Sequence, residues 1–252
     1  MYKFFKIILL SLLPKTLLKK IEFPLRKVYA LLYAGDKVFC VVCEKHFSKF
    51  QPINENDSLC INCGSIPRQR LLMKVLKKNN LIHKKTLHFS PNRFFAQKMH
   101  ALNENYFTTD FNAASDTDFH YDITKLSVAD NSYDLIICYH VLEHIVEDLN
   151  AMSELYRILS KNGILICQVP FSQNGETIED ETITSPSERL KKFGQEDHVR
   201  IYGIQEFTTR LSKTGFNVKI KNSTEFVDLE TMKKHELNPK EVVIICSKQH
   251  LL

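Results

Sequence analysis

The chain has 252 residues, enough for one large domain or a medium one with an appendage. Its apolar share is that of an ordinary globular protein with a real core, which excludes a disordered or fibrous chain. Net charge is +5, but residues 1–34 carry seven lysines and arginines against Glu22; the remainder nets −1, which excludes a body built as a general polyanion binder.

The opening run, MYKFFKIILLSLLPKTLLKKIEFPLRKVYALLY, starts like a signal peptide, with a short charged segment before apolar residues. Lys6 interrupts that run and no A-x-A-like cleavage site follows it. The stretch to Leu13 is also too short to span a bilayer before Pro14 closes it. Beyond Pro14, lysines alternate with Leu17, Leu18, Ile21, Leu25 and Val28. Residues 1–34 therefore read as a basic amphipathic helical arm. Such an arm either lies on an anionic membrane surface or docks on the body and leaves its lysines in water.

Residues 35–70 hold Cys40, Cys43, Cys60 and Cys63, spaced C-x2-C-x16-C-x2-C. Two such knuckles facing each other fit a tetrahedral structural zinc site. Four thiolates would fill its coordination sphere, and Gly64 supplies the freedom a tight knuckle turn needs. Cys138, Cys167 and Cys246 sit in apolar runs, where a thiol acts as a small hydrophobe. This usage suits a reducing, cytoplasmic setting better than a disulfide framework. A helix follows, capped by Ser65 with Pro67 in its first turn, and residues 71–84 read as a linker helix. Its Arg68, Arg70, Lys74, Lys77 and Lys78 either grip nucleic acid together with the zinc module or are solvated charges on a packing helix.

Residues 85–252 read as an α/β domain. Strands are expected at Thr86–Phe89, Tyr106–Thr109, Phe119–Ile123, from Asp134, at Ile164–Val169, Phe216–Ile220 and Glu241–Ser247, seven in all. Ser90 as N-cap with Pro91 starts a helix after the first of them. Val141, Leu142, Ile145, Leu149, Met152, Leu155 and Ile158 mark another helix by their three- and four-residue spacing, with Asn162-Gly163 as its stop. The order predicts a doubly wound, mainly parallel seven-stranded sheet, Rossmann-like, closed by a β-hairpin. Ligands of such sheets sit at the carboxyl ends of the strands, here around Tyr139 and His140. His140-Val-Leu-Glu143-His144 also spells H-x-x-E-H, the inverted zinc-protease motif, but its strand–helix–strand setting belongs to another fold. The polar insertion 171–203 is long enough for a lid.

The series Asp110, Asp122, SYDLIICYHVLEHI and LYRILSKNGILICQVP resembles the class I S-adenosylmethionine-dependent methyltransferases, in particular bacterial members with an N-terminal four-cysteine zinc module. The resemblance covers about residue 35 to the end. It implies that Asp110 holds the cofactor ribose, that Asp122 and Ile123 lie beside the adenine, and that Tyr139 and His140 face the methionine portion and the methyl group. The family's usual glycine-rich loop is absent: LHFSPNRFF stands there. The helix N-terminus at Ser90 and Pro91 still offers backbone N–H groups to a carboxylate. Methyl transfer needs alignment, exclusion of water and, for some acceptors, a base. Candidate bases are His140, Glu143, His144, Asp197 and His198; an Asp197–His198 pair would orient one, and Arg200 would bind an anionic substrate or anchor the loop. The functional expectation is methyl transfer to a small-molecule or glycan-type acceptor, in the cytoplasm, either free or peripheral at the inner membrane surface. The alternatives are an RNA methyltransferase gripping RNA through zinc module and basic helix, and a non-catalytic binding module.

Overall fold

The computed structural model describes residues 15–54 and 57–249, and the side chains from Ile21 onward within them. Residues 1–14 of the expected arm lie outside the described part. The chain divides into two compact units: residues 1–76 with 226–239, and residues 77–225 with 240–252. The segment 226–239, read from sequence as part of the α/β domain 85–252, clusters with the cysteine unit.

In the first unit, helix α1 (Lys15–Leu31) carries Pro24 inside it. It exposes Leu25, Val28 and Leu31, with Leu32 just beyond its end. Two small antiparallel pairs follow, β1 (Val38–Cys40) with β2 (Lys45–Phe47), and β3 (Gln51–Pro52) with β4 (Ser58–Leu59). Each knuckle turns on a left-handed residue just after its second cysteine: Glu44 at φ 55° and Gly64 at φ 70°. Their N–H groups donate to Cys40 O and Cys60 O, both at 2.7 Å. Helix α2 (Pro67–Lys78) buries Leu71, Leu72, Met73, Val75 and Leu76. A short helix late in the chain, Leu229–His235, belongs to this unit and is tied to β1 by His235 Nδ1 donating to Phe39 O at 2.7 Å.

The second unit is built on one sheet. Its strands are β5 (Thr86–Phe89), β6 (Tyr106–Thr109), β7 (Tyr133–Tyr139), β8 (Leu159–Gln168), a late strand Asn217–Asn222 and the last strand Val242–Ser247. The late strand pairs antiparallel with the last one, which pairs antiparallel with β8; β8, β7, β5 and β6 follow in parallel register. Chain order reverses at β5, which lies between β6 and β7. Parallel neighbours need crossover helices, and α3 (Arg93–Leu102) and α4 (Asp148–Ile158) supply them. Ala151, Met152, Leu155 and Ile158 of α4 pack with Leu87, Ile136, Leu165 and Ile244 of the sheet in one buried cluster. Cys138, Cys167 and Cys246 are buried members of that core, inert by burial.

Four local expectations are corrected. The sheet has six strands, because Phe119–Ile123 contributes only a single bridge, Phe119 to Thr109. Backbone pairing reaches Phe119, which donates to Thr108 O at 3.0 Å and accepts from Asp110 N–H at 3.2 Å; beside it side chains take over, Asp118 accepting from Thr108 N–H at 2.7 Å and Tyr121 N–H donating to Thr109 Oγ1 at 3.1 Å. Ser90 is not an N-cap; Asn92 caps α3, and Ser90 takes φ 46°. The helix expected from Val141 is a 3-10 turn, Leu142–His144, followed by α4. Asn162-Gly163 does not stop α4, which ends at Ile158 because Leu159 already pairs with Tyr133 as β8 begins.

Candidate functional site

The strand registers bring the sequence candidates to one level. Phe89 pairs with Thr109 on one side and with Cys138 on the other. The residues that follow, Ser90, Asp110 and Tyr139, therefore leave three adjacent strands side by side. Ser90 N–H donates to Thr109 O at 2.7 Å and His140 N–H to Gln168 O at 2.8 Å, which fixes both turns. Ser90 and His140 both take left-handed backbone, φ 46° and 56°. This is the conformation that a glycine would occupy at no steric cost. Ser90 thus does the backbone work of the missing glycine, at the price of a Cβ.

Asp110 Oδ1 accepts from Asn112 N–H at 2.8 Å, and among the described residues the carboxylate makes no ion pair. Asp122 is an exposed turn residue accepting from Thr124 N–H and Oγ1 at 2.9 and 2.7 Å. Those bonds lower its pKa. Ile123 beside it is buried in the core cluster.

The end of β7 gathers more than sequence spacing indicated. Glu143 is fully buried, and neither carboxylate oxygen has a hydrogen-bond partner among the described residues. His140 Nδ1 lies 3.2 Å from its Oε1. His198 comes from the far end of the insertion and stacks edge-on with His144, ring centroids 4.7 Å apart. The expected Asp197–His198 pair is not formed. Asp197 sits against His144 instead, Oδ2 3.3 Å from Nδ1, while His198 Nδ1 donates to Phe193 O at 3.2 Å. Burial, helped by the neighbouring His144, lowers the His198 pKa.

Arg200 is an anchor. Its guanidinium donates to Glu179 at 2.9 Å, to Val146 O at 2.9 Å and to Ile145 O. Arg210 adds bonds to Asp148 and Glu179, and Tyr202 Oη donates to Asp148 at 2.7 Å. This network breaks the helix expected from Val141, since Ile145 and Val146 turn their carbonyls to Arg200. It also pins the insertion at its far end, where Phe171 bridges Tyr202. A hollow of about 470 Å³ lined by Thr208, Lys213 and Ile220 lies on the opposite edge, away from the strand ends.

In the first unit the four cysteine sulfurs lie within 4.8 Å of one another. Cys40 Sγ is 3.5 Å from Cys63 Sγ and Cys43 Sγ 3.7 Å from Cys60 Sγ. A tetrahedron with Zn–S bonds of about 2.3 Å has edges of about 3.8 Å, whereas a disulfide needs about 2.05 Å. The donor set fits a bound ion and not a crosslink. Burial and the neighbouring sulfurs push the Cys63 thiol up; a bound cation reverses that and holds all four as thiolates. Arg70 beneath the cluster is fully buried and is spent internally, donating to His235 O at 2.7 Å, Ser65 O at 2.7 Å, Ser58 O and Glu236 O at 3.1 Å. It is not available to a nucleic acid.

Residues 92–167, from the cap of α3 to the end of β8, match the family described as a methyltransferase domain. A search of curated proteins finds no match. Among solved structures, the cyclase SpnF is 13% identical, with 79% of this chain and 86% of that one covered and a TM-score of 0.52. YcgJ from Bacillus subtilis is 11% identical over 71% of this chain and 98% of its own, with a TM-score of 0.48. A SAM-dependent methyltransferase from Archaeoglobus fulgidus is 13% identical over 71% and 93%, with a TM-score of 0.46. At these identities the likeness is one of fold. The matched span holds Asp110, Asp122, His140, Glu143 and His144; it excludes Ser90, the insertion and the four clustered cysteines, Cys40, Cys43, Cys60 and Cys63.

Proposed function

We propose that this S-adenosylmethionine-dependent methyltransferase delivers its methyl group to a small-molecule or glycan-type acceptor at the carboxyl ends of β5, β6 and β7. The observation that carries the reading is the strand register, which sets Ser90, Asp110, Tyr139 and His140 at one level where the sheet order reverses. Asp110 offers a carboxylate to a ribose diol. Asp122 and Ile123 border the adenine; Ser90 spends its N–H on Thr109 O and Pro91 has none, so the cofactor's carboxylate is met by the positive dipole end of α3, which begins just beyond them. When bound, the cofactor supplies an electrophilic sulfonium methyl. His140, part-exposed at the strand end, is the base that takes a proton from a hydroxyl or amine acceptor. His198 and Asp197 position that region, Asp197 through His144.

The four cysteines hold a structural zinc ion, supported by sulfur separations close to a tetrahedral edge. The exposed apolar residues of α1, flanked by lysines in sequence, support peripheral contact with an anionic membrane. No helix among the described residues is long and apolar enough to cross one. Burial of Arg70 and the near-neutral charge beyond the arm favour this acceptor class over RNA.

The test is incubation with methyl-labelled S-adenosylmethionine and a cell extract. Label in small-molecule or glycan fractions is expected. Label released by ribonuclease overturns the acceptor class. Calorimetry that finds no cofactor binding by folded, zinc-loaded protein overturns the catalytic reading.

A further inference from the structure

Glu143, His144 and His198 offer ligand atoms within 4.8 Å of one another, although 55 residues separate Glu143 from His198. Three observations single this cluster out from ordinary surface polar groups. Glu143 is fully buried, and neither of its oxygens has a hydrogen-bond partner among the described residues. A buried carboxylate in that state is costly unless a cation meets it. His140 Nδ1 lies 3.2 Å from one oxygen, and the other has no partner among the described residues.

The two rings are also set for ligation. His198 Nδ1 faces Phe193 O at 3.2 Å, and a carbonyl can only accept, so this nitrogen carries the proton. His144 Nδ1 faces both Asp197 O and Asp197 Oδ2 at 3.3 Å, acceptors again. In the neutral form of either ring Nε2 then keeps its lone pair. A ring nitrogen held by a carboxylate or a backbone carbonyl while the other binds is the usual outer arrangement around a metal-bound histidine.

We infer that Glu143, His144 and His198 form a second metal site, distinct from the cysteine cluster, which takes a divalent first-row transition ion such as zinc. Two imidazoles and a carboxylate suit such ions, and three protein donors leave a coordination position open to water or to an acceptor oxygen. A tetrahedral set with bonds of about 2.1 Å has edges of about 3.4 Å, so the donors close by roughly an ångström on binding. The ion joins the turn after β7 to the end of the insertion, which Val199 N–H to Glu143 O at 2.9 Å already tethers. The H-x-x-E-H spelling thus contributes its Glu143 and His144, with the third donor coming from elsewhere in the fold and no protease chemistry implied. This inference goes beyond the methyl-transfer reading and stands without it.

The experiment is metal stoichiometry on untagged protein, loaded with excess zinc and desalted. Two equivalents per chain are expected for the natural protein, and one for Glu143→Gln and for His198→Ala. After cobalt replacement, both variants are expected to keep the thiolate charge-transfer band of the cysteine site and to lose only the weaker nitrogen–oxygen ligand-field bands. One equivalent in the natural protein overturns the site, whatever the variants do. Two equivalents retained in both variants also overturn it. Near-UV circular dichroism checks that the near-isosteric Glu143→Gln chain is folded when counted.

Discussion

The two units are held by different physics. The sheet unit buries a continuous apolar cluster in which Leu87, Ile136, Met152, Leu155, Leu165 and Ile244 meet. The cysteine unit has strands of two and three residues and is organised around polar centres, four sulfurs and one buried guanidinium. A unit of the first kind depends on packing and is indifferent to chelation. One of the second kind depends on the ionisation and ligation of a few groups, so single chemical events should undo it.

Chelation gives the largest contrast. Chelating the proposed zinc ion, or Cys63→Ser, is expected to forfeit metal-linked folding energy on the order of 10 kcal/mol. The amides of Glu44 and Gly64, which donate to Cys40 O and Cys60 O, are expected to lose hydrogen-exchange protection. Those of Ile136 and Ile166 in β7 and β8 stay protected. Retained protection at Glu44 and Gly64 would mean that this unit, too, is held by packing.

Acid is the corresponding lever on the sheet unit. His88 is wholly enclosed, its Nδ1 2.7 Å from Tyr106 Oη, and burial pushes its pKa down to about 3. The unfolded chain takes up the proton near pH 6.5, so His88 costs nothing above that pH. Stability then falls as pH drops from 6.5 to 3, by about 1.4 kcal/mol per unit and by roughly 5 kcal/mol in all. Below pH 3 its contribution is constant. The double variant His88→Phe/Tyr106→Phe should flatten that slope in urea midpoints followed on the sheet unit; an unchanged slope removes His88 as the cause.

Arg70→Met tests the guanidinium apart from the metal. It takes the donor from the carbonyls of Ser58, His235 and Glu236, while Ser65 O keeps the Cys60 N–H at 2.9 Å, at a cost of at least about 3 kcal/mol. The loss should show in thermal melting of the zinc-loaded protein and should leave zinc stoichiometry at the cysteines unchanged. An unshifted melt makes Arg70 dispensable.

Sequence legibility follows the same division. The meeting of Cys40, Cys43, Cys60 and Cys63 is readable from spacing, because each knuckle brings its two sulfurs together locally. The apolar runs of β5, β7 and β8 are readable because burial on both faces demands them. Phe119–Ile123 has strand composition, yet Asp118 and Thr109 spend its pairing groups on side chains. The helix expected from Val141 keeps its apolar spacing, but the carbonyls of Ile145 and Val146 turn to Arg200, more than fifty residues away. The same distance hid the meeting of His198 with Glu143 and His144. Local pattern names residues; which of them meet across the insertion is decided by the fold.

Within the strand-end site, Asp110→Ala removes a charged acceptor for a ribose diol. The expected loss is about 1.5–3 kcal/mol of cofactor binding, roughly 10- to 100-fold, measured by calorimetry with S-adenosylmethionine. Unchanged affinity would move the ribose elsewhere. The melting temperature should hold, since among the described residues the Asp110 carboxylate is bonded only to the nearby Asn112 N–H.

Ser90→Gly has the smallest expected effect and bears on how this sheet unit manages without a glycine in its first loop. Ser90 sits at φ 46°, where an L-residue pays about 1–2 kcal/mol that glycine does not. Glycine in turn adds unfolded-state entropy worth about 0.5–1 kcal/mol. The net stabilisation should be about 1 kcal/mol or less, read as a higher urea midpoint with an unchanged slope. Affinity for S-adenosylmethionine should rise as well, because deleting the Cβ lets the ligand approach the backbone. Ser90→Val is the reverse experiment: a β-branched residue resists left-handed backbone, and both stability and affinity should fall. If glycine tightens binding without stabilising the fold, the Cβ is a steric limit on the ligand. If it stabilises without tightening, the strain belongs to the turn alone and the cofactor never comes near Ser90.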